Sequence, residues 1–197
     1  MRRHVPVHIA LACAVLLLLG GSSAPLTATP PPWSKKINGL QMTIHPDQTH
    51  DPQSKTPSFR VELRNSGEND YVLNLGVMLG NGKTQYPRAV VVILTDSRGT
   101  SRRLDLTEPT FVAGRIDPLV VPLAVGASFS IPVNLHKYWA AESSEFDPKF
   151  EPGKYYLEAR FTGTGASDAN KDLVGIGLMP YWEGTVVSNR LQFEVPK

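Results

Sequence analysis

The amino-acid sequence predicts an all-β protein folded as a two-sheet antiparallel sandwich. From residue 39 onward, apolar and polar side chains alternate with a period of two, as in strands that cover a core on one face. The 17 prolines and 16 glycines separate these segments with turns. No stretch after residue 28 shows a long helical period with capping residues. The 197 residues suffice for one substantial domain.

Residues 1–28 are predicted to be a secretory signal peptide. Arg2 and Arg3 precede an apolar run over residues 5–19, and Leu26-Thr27-Ala28 supplies a small-residue cleavage site. The run is shorter than the roughly 20 residues of a membrane span. We therefore expect cleavage after Ala28, a secreted or periplasmic protein, and no membrane span afterwards. An uncleaved leader that serves as an anchor is the alternative.

Cys13 is the single cysteine of the chain and lies inside the apolar run of the leader. A lipid-modified cysteine would end such a run, whereas four leucines follow here at residues 16–19. Cys13 is therefore interpreted as a small apolar residue of the leader. Its removal with the leader would exclude disulfides, thiol catalysis and thiolate metal sites from the mature chain.

The charge balance argues against a nucleic-acid partner. Of the 20 Lys and Arg residues, only Arg2 and Arg3 lie in the leader, which leaves 18 against 18 Asp and Glu residues. A neutral mature chain exerts no global attraction on phosphates. Thr29-Pro30-Pro31-Pro32 opens a proline-rich linker predicted over residues 29–37, and residues 38–197 form the predicted sandwich domain.

The strand predictions follow the alternation in chain order. A continuous apolar run over residues 89–94 predicts a central strand, and residues 71–75, 104–106 and 119–123 are further strands. The alternating segments are expected to turn these residues toward the core: Leu40, Met42 and Ile44; Phe59, Val61 and Leu63; Phe129, Ile131, Val133 and Leu135; Tyr155, Leu157, Ala159 and Phe161; Val187, Leu191, Phe193 and Val195.

Three details of the predicted sandwich are specific enough to check. Pro132 lies within a strand pattern and predicts an edge or a bulge there. The C-terminal strand, which carries Phe193, is expected to pair centrally with its neighbours. Residues 139–144 are expected to form at most one helical turn.

Four segments resemble bacterial immunoglobulin-like domains, and in this order they are similar to the domain named for the BsuPI intracellular proteinase inhibitor, over residues 58–161. They are the strand and Asn-Ser-Gly turn of residues 59–67, the hairpin of residues 90–99, the Leu-x-x-Gly-x-Ser of residues 123–128, and the Pro-Gly-x-Tyr corner of residues 150–159.

The resemblance implies an immunoglobulin-like fold and offers protease inhibition as a function. It also implies a structural role for Tyr155, whose hydroxyl would bond back to nearby backbone. Two features depart from the family. Its named member is intracellular, whereas this chain is predicted to be exported, and residues 162–185 have no recognised counterpart. No inhibitory residue is transferred.

The densest group of possible metal ligands is His45, Asp47, His50 and Asp51, where imidazoles and carboxylates share one long loop. Such donors suit Zn or Cu, although the spacing matches no standard site and an ordinary solvated loop uses the same residues. Met42 and Met78 lie in apolar patterns and are assigned to the core. A second acidic loop, with Asp168, Asn170 and Asp172, lacks the glycine and closing glutamate of a calcium loop; an ordinary exposed loop is the favoured interpretation.

Two aromatic pairs are the candidate binding residues, Tyr138-Trp139 and Tyr181-Trp182. On a sandwich they could form an exposed platform for a peptide or a sugar ring. The alternative, which we favour, is that Trp139 and Trp182 cap the open ends of the core.

No catalytic signature occurs in the sequence, which contains neither a Gly-x-Ser-x-Gly elbow nor a His-Glu-x-x-His pair nor a phosphate-binding glycine loop. The sequence therefore predicts a secreted or periplasmic, non-enzymatic immunoglobulin-like module, without a cofactor, that binds a protein or glycan partner. A BsuPI-type protease inhibitor and a periplasmic copper or zinc binder are the alternatives.

Overall fold

The computed structural model describes residues 32–47, 58–80, 82–107, 114–140, 142, 145–146, 150–165 and 179–196. Within these ranges the chain forms thirteen β-strands and one 3-10 helix, Leu135–Lys137. None of the described residues belongs to a helix long and apolar enough to cross a membrane. The strands are β1 Leu40–Pro46, β2 Ser58–Asn65, β3 Tyr71–Leu79, β4 Gln85–Tyr86, β5 Val90–Thr95, β6 Ser101–Leu106, β7 Ile116–Leu123, β8 Ser128–Asn134, β9 Tyr138–Ala140, β10 Glu145–Phe146, β11 Gly153–Thr164, β12 Glu183–Val187 and β13 Leu191–Val195.

The strands confirm the predicted all-β antiparallel sandwich, and their hydrogen bonds divide it into three sheets. The β2 sheet has the order β1-β2-β8, and the β3 sheet has the order β4-β3-β7. The β11 sheet has the order β10-β9-β6-β5-β11, and β12 and β13 both pair with β11 along its remaining edge. Three sheets arise where two were predicted because the β2–β8 pairing ends at Asn65 and a separate β3–β7 pairing follows it.

The β2–β8 pair and the β3–β7 pair follow one another as a two-stranded ribbon that bends at Asn65. Before the bend β2 pairs with β8, and beyond it β3 pairs with β7. The backbone of Asn65 bonds across the bend: its N–H donates to the Ala127 carbonyl at 3.0 Å, and its carbonyl accepts from Gly126 N–H at 2.8 Å. The ribbon therefore stays paired while it passes from one sheet to the next.

The Asn65 side chain is fully buried at this bend and uses both of its polar atoms. Its Nδ2 donates to the carbonyl oxygens of Asn69 at 2.8 Å and of Leu123 at 2.9 Å. Its Oδ1 accepts from Gly67 N–H at 3.0 Å. Because buried polar groups are costly unless they are paired, these three bonds select asparagine at this position.

The core is one contiguous cluster built from the inward faces of all three sheets. The predicted inward residues of β1 and β2 are buried, among them Met42 with 0% exposure, and so are Leu157, Ala159 and Phe161 of β11. Tyr155 and Met78 pack partly buried against the cluster. The run over residues 89–94 becomes β5, a central strand between β6 and β11, as predicted. Pro132 lies in β8, the edge strand of the β2 sheet, which also confirms the prediction.

The prediction for the C-terminal strand is wrong in two respects. The chain forms two strands, and Val187 is 37% exposed whereas its neighbour Val186 is buried. Furthermore, β13 pairs with β11 on one side only, so it is an edge strand in the described structure. Leu191, Phe193 and Val195 do share one partly buried face, as predicted.

The two strands are separate because the chain leaves β11 after Ser188 and Asn189 turns toward β1. Asn189 accepts from Ile44 N–H at 2.8 Å and donates to the Ile44 carbonyl at 3.1 Å, so its amide takes the place of a pairing strand. The Ser188 hydroxyl accepts from Ala159 N–H at 2.9 Å. These polar side chains satisfy the backbone on both sides of the break.

Where the structure describes residues 139–144, it shows no helical turn. A 3-10 turn lies just before them, over Leu135–Lys137, where the Asn134 side chain accepts from His136 N–H at its start. Trp139 instead lies in strand β9, paired with β6. An asparagine cap ends β8 and begins the turn earlier than the apolar pattern suggests.

The described part of the proline-rich segment runs beside β1. Ser34 N–H donates to the Met42 carbonyl at 2.9 Å, and its hydroxyl accepts from Met42 N–H at 3.0 Å. The Thr43 hydroxyl donates to the Pro32 carbonyl at 3.1 Å. Residues 32–34 thus cover part of the β1 edge.

We predict that Asn65→Ala lowers the free energy of unfolding by about 3–4 kcal/mol, since it removes three hydrogen bonds and leaves the buried Leu123 carbonyl without that donor. Denaturation in urea measures the loss. Asn69→Ala is the matched control, because Asn69 is exposed and its backbone carbonyl is the acceptor. It should change stability by less than about 0.5 kcal/mol. Similar losses for the two variants would contradict the role given to Asn65.

We predict that Phe193→Ala lowers the free energy of unfolding by about 2–3 kcal/mol. Truncating a fully buried phenylalanine lowers it by roughly 3–5 kcal/mol, and the loss is smaller here because Phe193 is only partly buried. Its ring contacts Phe59 at a centroid distance of 5.1 Å and stacks on Tyr155 at 5.5 Å. Glu194→Ala, on the opposite and exposed face, should cost less than about 0.5 kcal/mol. Equal costs in chemical denaturation would mean that the register of β13 is wrong.

Candidate functional site

The candidate site is a groove of about 650 Å³ on the side of the β11 sheet that faces away from the core. One wall is this outward face of β6, β9 and β11, and the other is formed by β3, β4 and Arg88. We call it the Trp139 groove. Its volume lies within the range of about 300–1,000 Å³ that is typical of ligand sites.

Strand alternation places the side chains of the first wall. In β9, Tyr138 and Ala140 are buried, so Trp139 between them faces outward and is half-buried. Asp105 lies directly across from Trp139 in β6, and Arg103 lies two residues away on the same face. The Arg103 Nε donates to Asp105 Oδ1 at 2.9 Å. The indole thus stands beside a hydrogen-bonded ion pair on a paired sheet.

The second wall depends on a β-bulge at Gly76. The register of β3 against β7 shifts between Asn74 and Gly76, and Gly76 has a φ of 144°. A Cβ at Gly76 would collide with the Tyr86 carbonyl oxygen, so only glycine allows β4 to pack this closely against β3. The Tyr86 hydroxyl donates to the Leu106 carbonyl at 3.1 Å and ties the wall to β6.

The described lining of the groove carries a net positive charge, since its charged residues are Arg88, Arg103 and Asp105. Asp105 is paired with Arg103, whose side chain is 56% exposed. Arg88 is exposed, and within the described part of the chain its guanidinium makes no hydrogen bond or ion pair. Arg88 therefore offers its donors to solvent or to a ligand.

The structure does not bring the four candidate aromatic residues together. Tyr138 and Trp182 are each 2% exposed and belong to the core. Trp182 stacks on Phe161 at 5.4 Å, and its Nε1 donates to the Asn38 carbonyl at 3.0 Å. This agrees with the capping interpretation for Trp182.

Trp139 and Tyr181 have different surroundings. Trp139 faces the groove on the opposite side of the β11 sheet from Trp182, so the capping interpretation is wrong for Trp139. Tyr181 is half-buried and forms an isolated parallel bridge with Val72 of β3. Of the four aromatic residues, Trp139 is the one that lines the groove.

The candidate metal ligands that the structure describes contact β2 instead of each other. His45 Nε2 lies 3.5 Å from Glu62 Oε1, and Asp47 accepts from Arg60 Nη2 at 3.0 Å. Across the described ranges, no three His, Cys, Asp or Glu side chains lie close enough to hold a metal ion. His50 and Asp51 fall outside the described residues, as do Cys13 and the loop of Asp168, Asn170 and Asp172.

A second cavity, of about 480 Å³, lies between the β5–β6 turn and the start of β11. The Tyr155 hydroxyl donates to the Glu151 carbonyl at 2.9 Å here, which is the structural role that the resemblance implied. Asp96 Oδ1 accepts from the N–H groups of Arg98 and Thr100, both at 2.9 Å. These contacts shape the turn and the corner, so we assign them a structural role.

Sequence reasoning missed the residues that surround Trp139. Arg103 and Asp105 alternate with the buried Leu104, and this pattern could have placed both on the outward face of one strand. Tyr86 and Arg88 had no such signal, because their place beside β6 depends on the Gly76 bulge.

We predict that the stability of the protein falls as the pH rises above about 10 and that Tyr138→Phe removes part of this fall. Burial raises the pKa of Tyr138 above its ordinary value of about 10, because the charged phenolate is poorly solvated in the core. The unfolded chain therefore releases this proton at a lower pH than the folded chain does. Tyr138 contributes its stabilisation below pH 10, and the contribution decreases as the pH rises.

Urea denaturation at pH 8 and pH 11 measures this effect in the wild type and in Tyr138→Phe. The difference in the free energy of unfolding between the two proteins should change by about 1 kcal/mol from pH 8 to pH 11. A difference that is the same at both values would contradict the raised pKa.

No protein-family model matches the chain, and a search of curated proteins finds no match. Among solved structures, an X-ray structure of a structural-genomics target is 12% identical, with a TM-score of 0.36, and the match covers 81% of this chain and 89% of that one. A Bordetella pertussis protein with the provisional name ApaA is also 12% identical, with a TM-score of 0.36 and coverage of 85% and 98%. Likenesses of this level say nothing about what this chain binds or does.

Proposed function

We propose that this chain is a secreted or periplasmic, non-enzymatic binding module whose ligand occupies the Trp139 groove. The observation that carries the proposal is the half-buried Trp139 beside the Arg103–Asp105 pair and the exposed Arg88. An aromatic surface with a few polar groups is the usual composition of a ligand site. The export leader predicted over residues 1–28 supports the compartment.

The chemistry of the groove favours binding over catalysis. Its described lining contains no histidine, cysteine or lysine, and its single carboxylate, Asp105, is held by Arg103. A nucleophile needs a base within hydrogen-bond reach, and the lining threonines Thr162 and Thr164 have no histidine or lysine in the same lining to activate them. The sequence also lacks catalytic signatures.

The alternatives are less well supported by the geometry. The resemblance to the BsuPI-type domain suggests a protease inhibitor. However, two residues of the resembling segments make structural hydrogen bonds: Asn65 at the bend of the ribbon and Tyr155 at the corner where β11 begins. A copper or zinc binder would need its ligands to converge on one ion. Instead, His45 contacts Glu62, and Asp47 is paired with Arg60. A panel of serine, cysteine and metalloproteases would test the inhibitor directly.

We predict that the immobilised mature protein captures material from the native envelope fraction and that Trp139→Ala lowers the captured amount at least about tenfold, because the variant removes the aromatic surface of the groove. Protein and carbohydrate in the eluate are both quantified.

Tyr156→Ala is the matched control. It also removes a partly buried aromatic side chain from the β11 sheet, one that does not line the groove and instead lies under Arg190, 4.3 Å from its ring centroid. Its capture should equal that of the wild type. Equal capture by the wild type and Trp139→Ala, with both proteins folded, would contradict the proposal.

A further inference from the structure

We propose that the ligand of the Trp139 groove is a saccharide that carries a carboxylate, with a sugar ring on the indole of Trp139 and the carboxylate on the guanidinium of Arg88. This inference depends on the proposed function, because it names the ligand class of the same groove. It follows from the aromatic surface, from the polar groups beside it, and from the exposed guanidinium of Arg88 on the opposite wall.

The first wall suits a sugar ring. A pyranose has one face of C–H groups and an edge of hydroxyls, and the electron-rich face of an indole attracts such C–H groups. Trp139, half-buried in the groove lining, is the indole of this wall. Asp105, directly across the strand pair, retains acceptor capacity beyond its bond to Arg103 Nε, and the guanidinium of Arg103 retains donors. Together they can bond to the hydroxyl edge of a ring that lies on Trp139.

The second wall supplies the charge. Arg103 and Asp105 neutralise each other, so Arg88 gives the lining its net positive charge. A guanidinium binds a carboxylate through two parallel N–H···O bonds, and Arg88 makes no competing side-chain hydrogen bond within the described residues. The carboxylate of a uronic acid would give Arg88 a charge-assisted bond, which a neutral sugar cannot supply.

The sheet pairing argues against an extended peptide. Peptides commonly bind by adding a strand to a free sheet edge. Here the strands that contribute most of the lining are paired on both sides: β3 with β4 and β7, β6 with β5 and β9, and β11 with β5 and β12. Their backbone groups are therefore occupied, and recognition falls to side chains.

The test measures binding of defined oligosaccharides to the mature wild-type protein by calorimetry. The probes are oligomers of galacturonate, mannuronate and glucuronate, each compared with its methyl ester, which keeps the rings and removes the charge. We expect saturable binding of at least one acidic oligomer, at least about tenfold weaker binding of its ester, and weaker binding as ionic strength rises.

Two variants locate the interaction. Arg88→Gln should reduce the affinity for the acidic oligomer at least about tenfold and leave the affinity for the ester unchanged, and because Arg88 is exposed this variant should fold. Trp139→Ala should weaken both, while Trp139→Phe retains most of the binding. Arg98→Gln is the matched control: it removes an exposed arginine at the β5–β6 turn, outside the groove, and should have no effect.

The inference is overturned if no acidic oligomer binds, if the ester binds equally well, or if Arg88→Gln and Arg98→Gln behave alike. Stronger binding of a poly-glutamate peptide than of any oligosaccharide would also overturn it and favour a peptide ligand. The proposed function would survive these results if capture from the envelope fraction still depended on Trp139, so the two failures can be distinguished.

Discussion

A two-stranded ribbon that changes sheets must keep its backbone paired while it bends, and here that requirement is met by Asn65. The residue bonds to both sides of the bend with its backbone and closes the turn with its side chain amide. A hydrophobic residue would fill the space but leave the Leu123 carbonyl without its donor. This one buried amide therefore links the β2 sheet to the β3 sheet across the bend.

The bend at Asn65 also sets the geometry of the groove. It carries β3 away from the β2 sheet, and the bulge at Gly76 then lets Tyr86 and Arg88 approach the outward face of β6 and β9. The wall that holds Trp139 is a fully paired sheet, which keeps its side chains in place. Binding residues on such strands are more precisely oriented than residues on loops.

Most of the fold could be predicted from the sequence because a period of two encodes which face of a strand is buried. Leu40, Met42 and Ile44 show this directly. The pattern failed at Val187, because Asn189 leaves the strand to pair with Ile44, which is 145 residues away in the sequence. The groove could not be predicted, since Arg88 and Trp139 line one groove only because of the bulge at Gly76 and the order of the strands in the sheets.

Photo-crosslinking in native cells tests the central claim, that the Trp139 groove binds a ligand in the envelope, most directly. A photoreactive residue is placed at Thr162, which is exposed and lines the groove, and in a second protein at Arg98, which is exposed at the β5–β6 turn. Because the groove holds the ligand, irradiation should yield a crosslinked product from position 162 and none from position 98. Equal products from both positions, or a product from position 98 alone, would contradict the claim.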